Sequence, residues 1–135
     1  MTRAILKEPK FYLWDWSAIT DPGARAENFI ASHLKKAISF WSDRGFGKFD
    51  LFYIRTKDGK EVDFIITKNN DPWFLVEVKN SKAHSLNKNL YHFQEQTKAK
   101  HAFQVVIDME YDDIDCFFYT KPVIVPAKTF LSQLV

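Results

Sequence analysis

The sequence has a single cysteine, so no internal disulfide can brace it. Cys116 lies in the largely apolar string Ile114 to Tyr119, where a buried structural thiol is expected. No apolar run approaches the roughly 20 residues that a membrane-spanning helix needs. The opening residues, MTRAILKEPK, hold no apolar stretch leading to a small-residue cleavage site, so no export signal is expected and a cytoplasmic location is. Internal repeats, low-complexity tracts and Gly/Ser linkers are all missing. Charge of one sign is scarce as well: the net charge is +2, too small to announce nucleic acid by itself. Four histidines raise the question of zinc, but His84, His92 and His101 lack ligand spacing and there is one cysteine to join them.

What the chain does have is aromatic mass. Thirteen Phe, five Tyr and four Trp in 135 residues, with an apolar fraction of 46%, are enough to fill one core and too few for two. A single domain is therefore expected over 1–135, with residues 1–20 as an N-terminal arm and 21–135 as the core. The arm holds a dense aromatic cluster, Phe11 to Trp16, without clean periodicity, and reads as a short strand or an irregular segment docked on the core.

Asp21-Pro22 is a good helix opening, because Asp can cap free amides and proline at the first position loses no hydrogen bond. Ile30, Leu34, Ala37, Ile38 and Trp41 follow at helical spacing, and Gly45 and Gly47 break the chain, so a helix is predicted from about Pro22 to Trp41. Three strands come next: Phe49 to Arg55, Glu61 to Thr67 after the Asp58-Gly59 turn, and Trp73 to Lys79 after a five-residue turn over Lys68 to Pro72. Ser85 to Lys98 reads as a helix with Leu86, Leu90 and Phe93 inward. Ala102 to Ile107 and Asp115 to Tyr119 read as strands, and Pro126 opens a last short helix. The order predicts an α/β sandwich around a mixed sheet, not a doubly wound parallel one.

The second hairpin carries the chemistry. If Thr67 closes its turn against Trp73, Asp63 lies opposite Glu77, and Glu61 opposite Lys79. By alternation one face then holds Val62, Phe64, Ile66, Phe74, Val76 and Val78, all apolar and core-facing. The other holds Glu61, Asp63, Glu77 and Lys79 at one end and Ile65, Trp73 and Leu75 at the other. Two carboxylates opposite each other repel, so a shared proton, a neighbouring cation such as Lys79, or a divalent metal must offset them. A surface cluster pairing Glu61 with Lys79 and Asp63 with Arg55 is the plainer alternative. Glu27 extends the stripe Ile30, Leu34, Ile38 toward the sheet as a third carboxylate, although the helix N-terminus alone would favour an acid there.

These pieces, Glu27 on a leading helix, Asp63 on the second strand and Glu77-Val78-Lys79 on the third, resemble the PD-(D/E)XK nuclease superfamily, with its restriction-endonuclease-like fold. The strings Ala26 to Phe29, Arg55 to Phe64 and Val76 to Lys79 look more narrowly like the nuclease-like C-terminal domain that follows AAA-type ATPase modules in bacteria and archaea. Two departures stand out: Val62 replaces the proline usual before the aspartate, and no P-loop is present, so the ATPase would be a partner or lie outside this chain. The resemblance implies a Mg²⁺- or Mn²⁺-dependent nuclease acting on DNA in preference to RNA. Asp63, Glu77 and the Val78 backbone carbonyl would hold the metal, Glu27 would anchor a second ion or its waters, and Lys79 would be catalytic. Lys82, Lys88 and Gln94 would contact phosphates. A catalytically silent module that binds nucleic acid or docks an ATPase is the alternative, and the aromatic arm would suit a homodimer.

Overall fold

The computed structural model describes residues 4–7, as backbone, together with 21–82 and 84–134. Six strands form one mixed sheet in chain order: β1 (Ala4–Lys7), β2 (Phe49–Thr56), β3 (Glu61–Lys68), β4 (Asp71–Lys79), β5 (His101–Val106) and β6 (Val123–Pro126). β1 to β4 are antiparallel, whereas β4–β5 and β5–β6 are parallel. Helices α1 (Pro22–Asp43) and α3 (Ala127–Ser132) cover one face, and α2 (Lys88–Thr97), which joins β4 to β5, covers the other. The α/β architecture with a mixed sheet agrees with the expectation from the element order.

Local chemistry explains each boundary. The Asp21 carboxylate accepts the Gly23 amide at 3.2 Å and Pro22 takes the first helical position, which starts α1. Its Ile30, Leu34, Ala37 and Trp41 are buried against the sheet. Asn87 caps α2 by accepting the Asn89 amide at 2.8 Å. The aromatic residues concentrate on the α1 side, where Trp41, Phe49, Trp73, Phe74, Phe103, Phe117 and Phe130 form a continuous set of ring contacts. The indole N–H of Trp41 donates to the Leu134 carbonyl at 2.8 Å, tying the chain's end to α1.

Four sequence expectations need correction. The β3–β4 turn is two residues, Asn69-Asn70, both in left-handed backbone (φ 53° and 69°), a conformation Asn tolerates and tight hairpins favour. The strands therefore run on to Lys68 and Asp71, and the register slips once: Thr67 pairs with Pro72 but Ile66 with Phe74, leaving Trp73 bulged and turned to the α1 face instead of continuing the charged one. Val62 does not share the face of Phe64 and Val76 but packs with Ile54, Ile65 and Leu75 beneath α2. Finally, Asp115 to Tyr119 is not a strand. Cys116–Phe118 form a 3-10 turn capped by Asp115, and the last strand is Val123–Pro126. In the arm, Ala4–Lys7 pairs with β2, while the Phe11 to Trp16 cluster lies outside the described residues.

Candidate functional site

The displacement of Val62 identifies the feature that builds the site. On β2 one residue, Tyr53, separates Phe52 from Ile54, whereas on β3 two residues, Asp63 and Phe64, separate their partners Ile65 and Val62. Asp63 thus sits in a β-bulge, which re-aims its side chain relative to simple alternation. The β3–β4 ladder stops at Phe64↔Val76. Beyond it the two strands are joined by side chains: the Asp63 carboxylate accepts the Val78 amide at 2.8 Å, and the Asp63 amide donates to Glu77 Oε1 at 3.3 Å. Asp63 and Glu77 do meet, but through these crossed bonds at a fork between the strands and not as a flat cross-strand pair.

Glu77 is buried, and its second oxygen accepts a hydrogen bond from the Asn87 side-chain amide. Lys79 Nζ stands 3.9 Å from the same oxygen, with its side chain 30% exposed. Glu27 on α1 is exposed along much of its length, yet its carboxyl shares a hydrogen bond with Asp63. The three acids are therefore gathered as expected. The alternative surface pairs are not formed: Glu61 accepts from the Tyr53 hydroxyl, and Lys79 is turned to Glu77.

Crowding has an electrostatic consequence. Burial, then the neighbouring charges of Glu77 and Glu27, pushes the Asp63 carboxyl up to about 10, so the crowded acids favour holding a proton among them at neutral pH. The Glu27 carboxyl is also raised, by burial first, although its bond to Asp63 acts the other way. Of the three offsets open to a facing acid pair, a shared proton is the one this crowding favours, with Lys79 nearby.

Among the described residues no three His, Cys, Asp or Glu side chains form a ready-made ligand set. The donors at the fork nevertheless have the chemistry a hard cation takes, two carboxylates and a backbone carbonyl oxygen, a set that Mg²⁺ completes with water or phosphate oxygens. The Lys79 carbonyl is taken by the Ile107 amide on the β5 side. By strand alternation the Val78 carbonyl therefore faces the β3 side, together with the amide that binds Asp63.

The residues expected on phosphate divide. Lys82 and Lys88 are exposed on the segment after β4 and at the start of α2. Gln94 is instead a brace: its amide nitrogen donates to the Ala99 carbonyl at 3.1 Å and the Thr120 carbonyl at 2.7 Å. Two supporting residues escaped the sequence reading. Gln104, fully buried, accepts the Asn87 amide at 2.8 Å and donates to the Ser85 carbonyl at 3.0 Å, fixing the residue that reaches Glu77. A lone amide in the apolar strand Ala102 to Ile107 was the available signal, and Asn87 ahead of Leu90 was recognisable as a cap.

No curated protein and no solved structure matches the chain. A family model described as domain of unknown function (DUF4143) matches residues 22–128, from the first residue of α1 into α3, and the chain belongs to that family.

Proposed function

We propose that this domain is a metal-dependent nuclease of restriction-endonuclease-like fold, hydrolysing phosphodiester bonds in DNA and working beside an AAA-type ATPase in the cytoplasm. The observation that carries the reading is the fork at Asp63. A bulge turns one acid into the gap between two strands, where it meets Glu77 and the Val78 backbone, with Lys79 adjoining. Such an arrangement is costly for stability and suits a cation.

In this reading Asp63, Glu77 and the Val78 carbonyl hold Mg²⁺ or Mn²⁺, and Glu27 holds a second ion or its waters. The bound ion supplies Lewis acidity toward the phosphate and lowers the pKa of a water molecule. As a ligand Asp63 would be ionised, its proton passing to solvent. Glu77 keeps its orientation through Asn87, which Gln104 in turn secures. Lys79 places its ammonium group beside the developing negative charge, where one such donor is worth about 10²–10³ in rate. Lys82 and Lys88 add salt-dependent attraction to the phosphate backbone without reading sequence.

The test is nicking of supercoiled plasmid and cleavage of single-stranded DNA with Mn²⁺, Mg²⁺ or chelator. Cleavage should need the metal and fall by about 10²-fold or more in Lys79→Ala. That side chain is partly exposed, so its loss leaves the fold intact. Metal-independent cleavage, or cleavage retained in both Lys79→Ala and Glu77→Ala, refutes the reading. A silent module that binds nucleic acid or docks the ATPase is favoured by one observation: both oxygens of Glu77 are already hydrogen-bonded within the protein. It gains if wild type cleaves neither substrate while still binding DNA or the ATPase.

A further inference from the structure

A polar cavity of about 590 Å³ opens at the far end of the sheet, beside the β3–β4 turn and the C-terminus of α2. Trp73 lies on β4 four residues before Glu77, so the cavity stands about 13 Å from the carboxylates by the rise of a strand. Lys68, Lys98 and Lys100 line it, against one acid, Asp71. Among the described residues none of these three lysines forms an ion pair, although Asp71 shares the cavity with them.

Two of the lysines are held in place by features that a merely solvated surface would not require. The Lys68 ammonium sits over the rings of Phe49 and Trp73, 5.7 and 5.9 Å from their centroids, so its stem lies along an aromatic wall and its charge at the cavity. Lys98 ends α2 in left-handed backbone, φ 62°. Glycine or asparagine is the ordinary solution at that position, and a longer side chain costs about 1 kcal/mol there. Lys100 is anchored at the same rim by its amide, which donates to the Trp73 carbonyl at 2.9 Å. The left-handed cap thus brings Lys98 to the rim that Lys68 and Lys100 also line.

We infer that this cavity binds a phosphate-bearing ligand through Lys68, Lys98 and Lys100, at a site separate from the carboxylate fork. Three ammonium groups spread around one opening match a polyphosphate or consecutive backbone phosphates better than a single carboxylate. The phosphate comes either from a nucleic-acid strand or from a small phosphorylated molecule. The inference stands whether or not the fork cleaves DNA.

Amide chemical shifts of the full chain, recorded in chelator, test it with two probes: inorganic pyrophosphate and a short single-stranded oligonucleotide. Saturable shifts are expected at Lys68, Asn69, Lys98 and Lys100 with at least one probe. Affinity should weaken roughly tenfold or more in the double variant K98E/K100E, and also, by less, in Lys68→Gln, which leaves α2 untouched. Response to pyrophosphate assigns a small phosphorylated ligand, and response to the oligonucleotide alone assigns a nucleic-acid strand. Absence of saturable shifts with both probes overturns the inference, as does an affinity unchanged in both variants.

Discussion

Replacing Asp63 with Asn should stabilise the ion-free domain. The unfolded chain ionises Asp63 at its ordinary value, near 3.8, while the folded site holds the proton up to about 10. At neutral pH folding must therefore reprotonate this carboxyl, at a cost of up to about 4 kcal/mol for three pH units. Asp63 is not fully buried, and solvent contact relieves part of that, so about 2 kcal/mol is expected as the net gain on substitution. Asn preserves the geometry: its oxygen can accept the Val78 amide and its nitrogen can donate toward the neighbouring acids, the two roles open to a protonated carboxyl there. The pH dependence follows from the raised pKa. The proton-linked stability of wild type is fully present below the unfolded value and is lost as pH rises toward the folded one. The advantage of Asp63→Asn should thus be near zero at about pH 4 and grow steadily through about pH 9. Glu27 and Glu77 face the same position and are common to both proteins. Urea unfolding in chelator across that range measures it, and at neutral pH the melting temperature should rise by about 6–10 °C. A variant no more stable than wild type at neutral pH, or a difference that stays flat with pH, would refute the proton-sharing account of the fork.

Metal addition gives the complementary result. Mn²⁺ binding at the fork should release about one proton and tighten as pH rises, read as a buffer-dependent enthalpy in titration calorimetry; an enthalpy independent of buffer counts against Asp63 as a ligand. Gln104→Leu should cost about 2–3 kcal/mol in urea unfolding, because the Asn87 amide and the Ser85 carbonyl both lose a buried partner. Trp41→Phe keeps the ring packing but orphans the Leu134 carbonyl, with an expected loss of about 1–2 kcal/mol by the same measurement.

The helices and most strands were legible because their signals are local: a cap, a proline, a 3.6-residue stripe, an Asp-Gly turn. The meeting of Glu27, Asp63, Glu77 and Lys79 was legible too, since the register over Phe64–Ile66 and Phe74–Val76 is the expected one. The two bulges were not. Each depends on a neighbouring strand: Asp63 on β2, Trp73 on the tightness of the Asn69-Asn70 turn. A wrong turn length and the bulge at Trp73 compensated, so the register came out right from a wrong starting pair. The last strand was misplaced because Cys116, Phe117 and Phe118 are as apolar as a strand, yet Asp115 caps a tight turn there. Gln94 was read from its exposed helix face, but the carbonyls that claim it belong to residues far along the chain, Thr120 among them.

The two outermost strands are the shortest, four residues each, against eight or nine in β2, β3 and β4. An uncovered β2 would offer the unpaired amides and carbonyls of alternate residues along its outer edge, which is a template for adding a strand from another chain. β1 occupies the rim of β2 from Tyr53 to Thr56, and β6 ends in Pro126, which cannot donate to a further ladder. The N-terminal segment is thus the guard of the sheet's vulnerable margin, and whatever displaces Ala4–Lys7 would turn that margin into a place for edge-to-edge association.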